Sequence, residues 1–127
     1  MAKEYFEKLS GLILRLNIEK DVDCRIEVKH LFTGAALYVN RGICASWSPV
    51  GLAFKLPEKE VARLIGSGKA KPLKYFPKGH VKRGYALFES PGKCKSGRWK
   101  AYFVKAIKYG HGKTHNNRSH ATGYTGA

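Results

Sequence analysis

The side chains in this chain that could do chemistry are few and unevenly placed. There are three cysteines, Cys24, Cys44 and Cys94, and three C-terminal histidines, His111, His115 and His120, and nine carboxylates stand against 24 lysines and arginines. The cysteines are odd in number, widely spaced and never in a C-x-x-C pair, which suits unpaired thiols in a reducing compartment rather than a disulfide framework. Cys44 falls in an apolar strand pattern and reads as a small buried hydrophobe. Cys94 stands among Lys93, Lys95 and Arg98, the setting that most favours a reactive thiol. No local His or Asn signature accompanies it, so a cysteine enzyme is not expected. Three histidines in a Gly- and Asn-rich stretch with no nearby cysteine are expected to be solvated, and no metal or other cofactor is expected. Gly66-Ser67-Gly68-Lys69 resembles a phosphate loop only superficially. Arg63 and Ala70 occupy the positions where such a loop needs Gly and Ser or Thr, so a helix C-cap fits better. Glu89 is the only carboxylate after Glu60, so a general acid and base pair is hard to assemble and the chain is read as non-enzymatic.

Charge is the stronger signal. The formal net charge is +15, which draws a protein to polyanions and says little about its fold. Up to Arg63 ten bases face eight acids, whereas from Lys69 to Lys113 thirteen bases face Glu89 alone. The candidate nucleic-acid-binding residues are therefore Lys78, Lys82 and Arg83 in a basic loop, Lys93 and Lys95 before the last helix, and Arg98, Lys100, Lys105 and Lys108 on it. DNA stands ahead of RNA as the partner, with an acidic protein as the other possibility. There is no apolar run of the ~18 residues a membrane span needs and no leader-like h-region, so a cytoplasmic protein without membrane contact is expected.

These residues need elements to position them. Tyr5, Phe6, Leu9, Leu12, Ile13 and Leu16 recur at helical spacing, which predicts an amphipathic helix of about four turns. From Arg25 the period becomes two, predicting one long strand through Val39, then a turn at Asn40-Arg41-Gly42, a strand over 43–47, a turn at 48–51 and a strand over 52–56. Pro57 opens a second helix that ends at Gly66-Ser67-Gly68. Short strands follow over 73–76 and 84–88, and the stripe Trp99, Tyr102, Phe103, Ala106, Ile107 predicts a last helix. The predicted fold is α+β, a two-layer domain with an antiparallel sheet in the order helix, three strands, helix, two strands, helix, over residues 1–109. Residues 110–127 lack periodic apolar content and are expected to form a disordered tail.

Within the long strand, Thr33, Gly34, Ala35 and Ala36 give up the packing a strand normally uses. A bulge or sharp bend at Gly34, with a helix packed close to the bare backbone, is the structural reading. The stretch from His30 to Pro91 resembles the N-terminal domain of the TfoX/Sxy competence-regulator family. Leu31-Phe32-Thr33-Gly34 stands at that family's Met-Phe-Gly-Gly, Leu37-Tyr38 at its Leu-Tyr, Cys44-Ala45 at its Phe-Ala, and Gly51 to Lys55 at its Leu-Tyr-x-Lys strand. The resemblance implies a small regulator of transcription or competence. The layout is also similar to that of secretion chaperones, which implies the alternative of a protein-interaction module and leaves a homodimer open.

Overall fold

The computed structural model describes residues 2–74, 79–89 and 97–122, with residues 2, 97 and 113–122 described by backbone alone. Helix α1 (Ala2–Arg15) buries Leu9, Leu12 and Ile13 and leaves outside the pair Lys8–Glu4, one turn apart at 2.9 Å. Asn17 ends it in the left-handed conformation at φ 58°, a state asparagine tolerates better than most residues. A 3-10 turn (Ile18–Asp21) leads to strands β1 (Ile26–Leu31), β2 (Gly34–Val39), β3 (Gly42–Ser48) and β4 (Gly51–Lys55). Helix α2 (Glu58–Gly66), the short strand β5 (Lys71–Leu73), β6 (Lys82–Phe88) and helix α3 (Gly97–Thr122) complete the chain.

The six strands form one antiparallel sheet in the order β1-β2-β3-β4-β6-β5. All three helices pack on one face of it. Leu9 and Leu12 of α1, Val61 and Leu64 of α2, and Trp99, Phe103 and Ile107 of α3 share a single core with Leu37, Leu52, Phe54 and Phe88. Phe54 is its centre, ringed by Phe103 at 4.9 Å, Tyr102 at 5.5 Å and Trp99 at 6.0 Å between centroids. The opposite face carries a smaller cluster of Ala53, Leu73, Tyr85 and Leu87. The fold is therefore α+β in two layers, as the periodicities imply.

The strand count differs from the expected order, because four strands precede α2. The predicted long strand folds back on itself at Phe32-Thr33, so that Leu31 pairs with Gly34 and Val28 with Leu37. The chain turns there with Phe32 at φ 52°. The reversal changes the phase of the alternation, because residues paired across a two-residue turn share a face: Ile26 and Val28, even-numbered, face the core in β1, and Ala35, Leu37 and Val39, odd-numbered, face it in β2. Gly34 is needed for a close approach, but the approach is by β3 and not by a helix. A Cβ on Gly34 would run into the Trp47 carbonyl and lie 2.7 Å from Ser48 Cβ. The irregularity in pairing lies further on, between Leu37 and Tyr38, where Cys44 is the extra residue of β3.

Helix α2 ends as its sequence predicts, with Gly68 at φ 79° and Lys69 N–H donating to the Leu64 carbonyl at 3.0 Å. Helix α3 does not stop at Tyr109. It continues to Thr122, past the point where loss of apolar periodicity suggested a disordered tail. The first residues past Tyr109 make contacts that a periodicity count cannot register: a Cβ on Gly110 would meet Val39 Cγ1 at 2.8 Å, and Asn40 Nδ2 donates to His111 Nδ1 at 2.9 Å. Residues 123–127 of the expected tail lie outside the described residues, as do Tyr75 and Phe76 of the expected fifth strand.

Candidate nucleic-acid interface

The acids of the first half fold back onto the bases of the second. Lys100 Nζ lies 2.9 Å from Asp21 Oδ2 beside the 3-10 turn, and Lys105 Nζ lies 2.6 Å from Glu60 Oε2 on α2, which also draws Arg63 to 3.7 Å. Lys71 is held by Glu89 at 2.8 Å. Thus the thirteen-to-one imbalance along the chain is partly cancelled in space. Of the candidate residues, Lys78, Lys93 and Lys95 lie outside the described residues. Lys82, Arg83, Arg98 and Lys108 are exposed.

Lys82 and Arg83 do not share a patch with Arg98. They open β6, whereas Arg98 stands beside Trp99, whose ring meets that of Phe88 at the far end of the same strand, 5.0 Å between centroids. Six residues of strand separate the two places by about 20 Å. Arg98, at the start of α3, therefore stands apart from Lys82 and Arg83.

A different surface forms instead, and the antiparallel meander dictates it. The starts of β1, β3 and β6 and the ends of β2, β4 and β5 all reach the same end of the sheet. That end collects Arg25 before β1, Arg41 in the β2–β3 turn, Lys55 closing β4, Lys74 after β5, and Lys82 and Arg83 opening β6. Leu56 N–H donates to the Gly84 carbonyl at 3.1 Å, which binds the Lys55 and Arg83 corners together. Helix α3 reaches this end too, since Gly110 and His111 meet Val39 and Asn40, and Lys108 is exposed one turn earlier. Among the described residues, no carboxylate lies within ion-pair distance of any of these cations. The lysines paired with Asp21, Glu60 and Glu89 are structural ties, and the unpaired cations of this end stand where a polyanion would find them.

Sequence reasoning missed Arg25, Arg41 and Lys74 as interface residues and took Lys55 as part of a structural motif. The signal was strand parity, and the missed hairpin spoiled it. With one long strand from 26 to 39, Arg25 falls at the opposite end from Arg41; with two strands it returns to the same end. Of the structural motif, Leu37 and Gly51 are buried, whereas Phe32 and Thr33 are exposed in the turn and Leu31 and Tyr38 are half-buried. Lys55 reaches over Tyr85, its ammonium 6.0 Å from the ring centroid.

Neither thiol among the described residues has a place in this surface. Burial, with a smaller contribution from Cys24, pushes the Cys44 thiol up to about 12, and its S–H donates to the Leu37 carbonyl at 3.4 Å. Burial, and then the neighbouring Asp23, raises Cys24. Cys94 lies outside the described residues. Among the described residues there is no cluster of three or more His, Cys, Asp or Glu placed to hold a metal ion, and no helix long and apolar enough to cross a membrane.

No protein-family model, curated protein or solved structure matches this chain. The likeness to the TfoX/Sxy domain therefore rests on the residues quoted for it.

Proposed function

We propose that this protein is a small non-enzymatic nucleic-acid-associated regulator, DNA ahead of RNA, which engages the phosphate backbone through the basic end of its sheet. The observation that carries the reading is the convergence there of cations from six separate segments, without carboxylate partners among the described residues, while Lys71, Lys100 and Lys105 elsewhere are held in ion pairs. A regulatory role of the TfoX type and a cytoplasmic location are parts of the same proposal and draw on the sequence resemblance.

The test is a salt titration of binding to two unrelated duplexes. Affinity should fall with salt with a log–log slope of roughly 0.9 per phosphate neutralised. Replacing Lys82 and Arg83 by Ala should weaken both duplexes alike and flatten the slope by about two such steps, because phosphate contacts position a protein without reading bases. Absence of binding at low salt would sink the proposal.

A second reading, a protein-interaction or dimerisation module with a secretion-chaperone-like layout, is favoured by β1. It is an edge strand, and Leu14 beside it is 72% exposed over a recess formed with Phe6, Ile13 and Val28. Sedimentation of the protein with and without Leu14→Glu separates the readings, since a dimer lost in the variant with duplex affinity intact would assign that surface to self-association.

A further inference from the structure

At the corner of the basic end where β1, β2 and the β2–β3 turn meet, a surface recess of about 330 Å³ is lined by Arg25, Glu27, Lys29, Tyr38, Asn40 and Arg41. Its composition is unlike that of the flat basic rim. Three cations surround one half-buried aromatic ring, with a single carboxylate, Glu27, at 3.8 Å from Lys29. The ammonium of Lys29 lies 5.1 Å from the centroid of the Tyr38 ring. Such a volume is at the small end of the range of ligand sites, roughly 300 Å³ and upward, and suits one base with its sugar and phosphate.

The backbone adds an independent observation. Val39 pairs with Gly42, so Asn40 and Arg41 are a two-residue hairpin turn, and both have positive φ, 50° and 71°. That is the turn in which Asn-Gly is the favoured pair. An arginine side chain strains the left-handed region, which glycine adopts freely. The turn thus carries a guanidinium at a position better suited to glycine, and the guanidinium faces the recess. The Asn40 amide is tied to His111, which links this turn to α3.

From these observations we infer that the recess is a subsite for an unpaired nucleotide within a nucleic-acid strand. The base stacks on Tyr38, taking the position over the ring that the Lys29 ammonium now holds, and Arg25 and Arg41 take the flanking phosphates. Glu27 accepts from an amino group on the edge of the base. A paired base cannot reach the ring, so the substrate class is nucleic acid with a single-stranded segment. This inference rests on the proposed nucleic-acid function and names its preferred substrate.

The experiment compares a blunt DNA duplex, the same duplex with a short single-stranded overhang, and a nucleoside monophosphate as competitor. The overhang should tighten binding by about tenfold, the worth of stacking one base on an aromatic side chain. Tyr38→Ala should abolish that gain and Tyr38→Phe should keep it. Arg41→Gly should weaken overhang binding and lower its salt slope by about 0.7 while leaving the melting temperature at or above that of the unaltered protein, so that lost binding cannot be lost folding. An overhang that brings no gain, a Tyr38→Ala variant that keeps the gain, an Arg41→Gly variant that binds like the unaltered protein, or a monophosphate that competes as well as the overhang would each overturn the subsite and leave salt-dependent duplex binding standing. If neither duplex binds at low salt, the basic-end function fails and the subsite with it.

Discussion

The turn at Phe32-Thr33 and the turn at Asn40-Arg41 stand at opposite ends of strand β2, each two residues long and each with positive φ. Around the first, strands close on bare backbone. Gly34 faces the Trp47 carbonyl, and Gly51, at φ 135° on the next hairpin of that end, faces the Phe88 carbonyl. Around the second, no strand closes so tightly, and the chain places arginine where glycine would be easier. One end is shaped by close fit and the other by charge. An end closed by backbone contact resists any side chain, whereas an end with exposed cations is free to vary in stability terms and constrained only by what it binds.

The largest expected effect tests the tight end. Gly34→Val and Gly51→Ala should each lose about 2–4 kcal/mol in a denaturant titration, because the new carbon meets backbone that cannot move aside. By contrast, Lys82→Ala and Arg25→Ala should change stability by no more than about 0.5 kcal/mol. Unaltered stability in Gly34→Val would break the comparison outright.

Next in size is the pH response of the β3 bulge between the two ends. The Cys44 thiol is raised from an ordinary value of 9.0 to about 12, so the folded state holds the proton that the unfolded chain releases. This contribution is complete below pH 9 and is lost as pH rises from there toward 12. Denaturant midpoints measured across that window should fall more steeply for the unaltered protein than for Cys44→Ala. Parallel curves would mean that the thiol is not kept neutral by burial.

Truncation after Tyr109 is a smaller perturbation. It removes the Gly110 contact with Val39 and the Asn40–His111 hydrogen bond, and should cost about 1 kcal/mol and lower the melting temperature by a few degrees. A melting temperature identical to that of the full chain would return those residues to the status of a dispensable tail.

Smallest of all are the ion-paired lysines. Lys100→Ala should change stability by at most about 0.5–1 kcal/mol, since both it and Asp21 are over two-fifths exposed. It should also reduce duplex affinity less than Lys82→Ala does. Equal losses of affinity would show that ion pairing does not separate structural from binding lysines.

Much of the layout was legible in the sequence because burial follows period. Leu9, Leu12 and Ile13 on α1, Val61 and Leu64 on α2, and Trp99, Phe103 and Ile107 on α3 all face the core that their spacing predicts. The hairpin at Phe32-Thr33 was not legible, since neither residue is a usual turn former and its one trace, a change of alternation phase between Val28 and Leu37, is also what a bulge produces. The extension of α3 was hidden for the opposite reason: Gly110 packs by having no side chain, which no count of apolar residues detects. The candidate surface suffered most, because charge was summed along the chain while the fold pairs Lys100 with Asp21 and Lys105 with Glu60 and regroups the remainder by strand end.

The position of α3 across the sheet also bears on how the protein is made. Phe54 lies in β4, yet three of the rings that enclose it, Trp99, Tyr102 and Phe103, belong to the last helix. The partner of β4 on its outer side, β6, likewise emerges from the ribosome only after α2 and β5. During vectorial synthesis the first four strands therefore wait with an apolar face only partly covered by α1 and an unpaired edge on β4. A nascent chain stalled between Lys55 and Gly97 would be the species most in need of a holdase and most prone to pair with a neighbour.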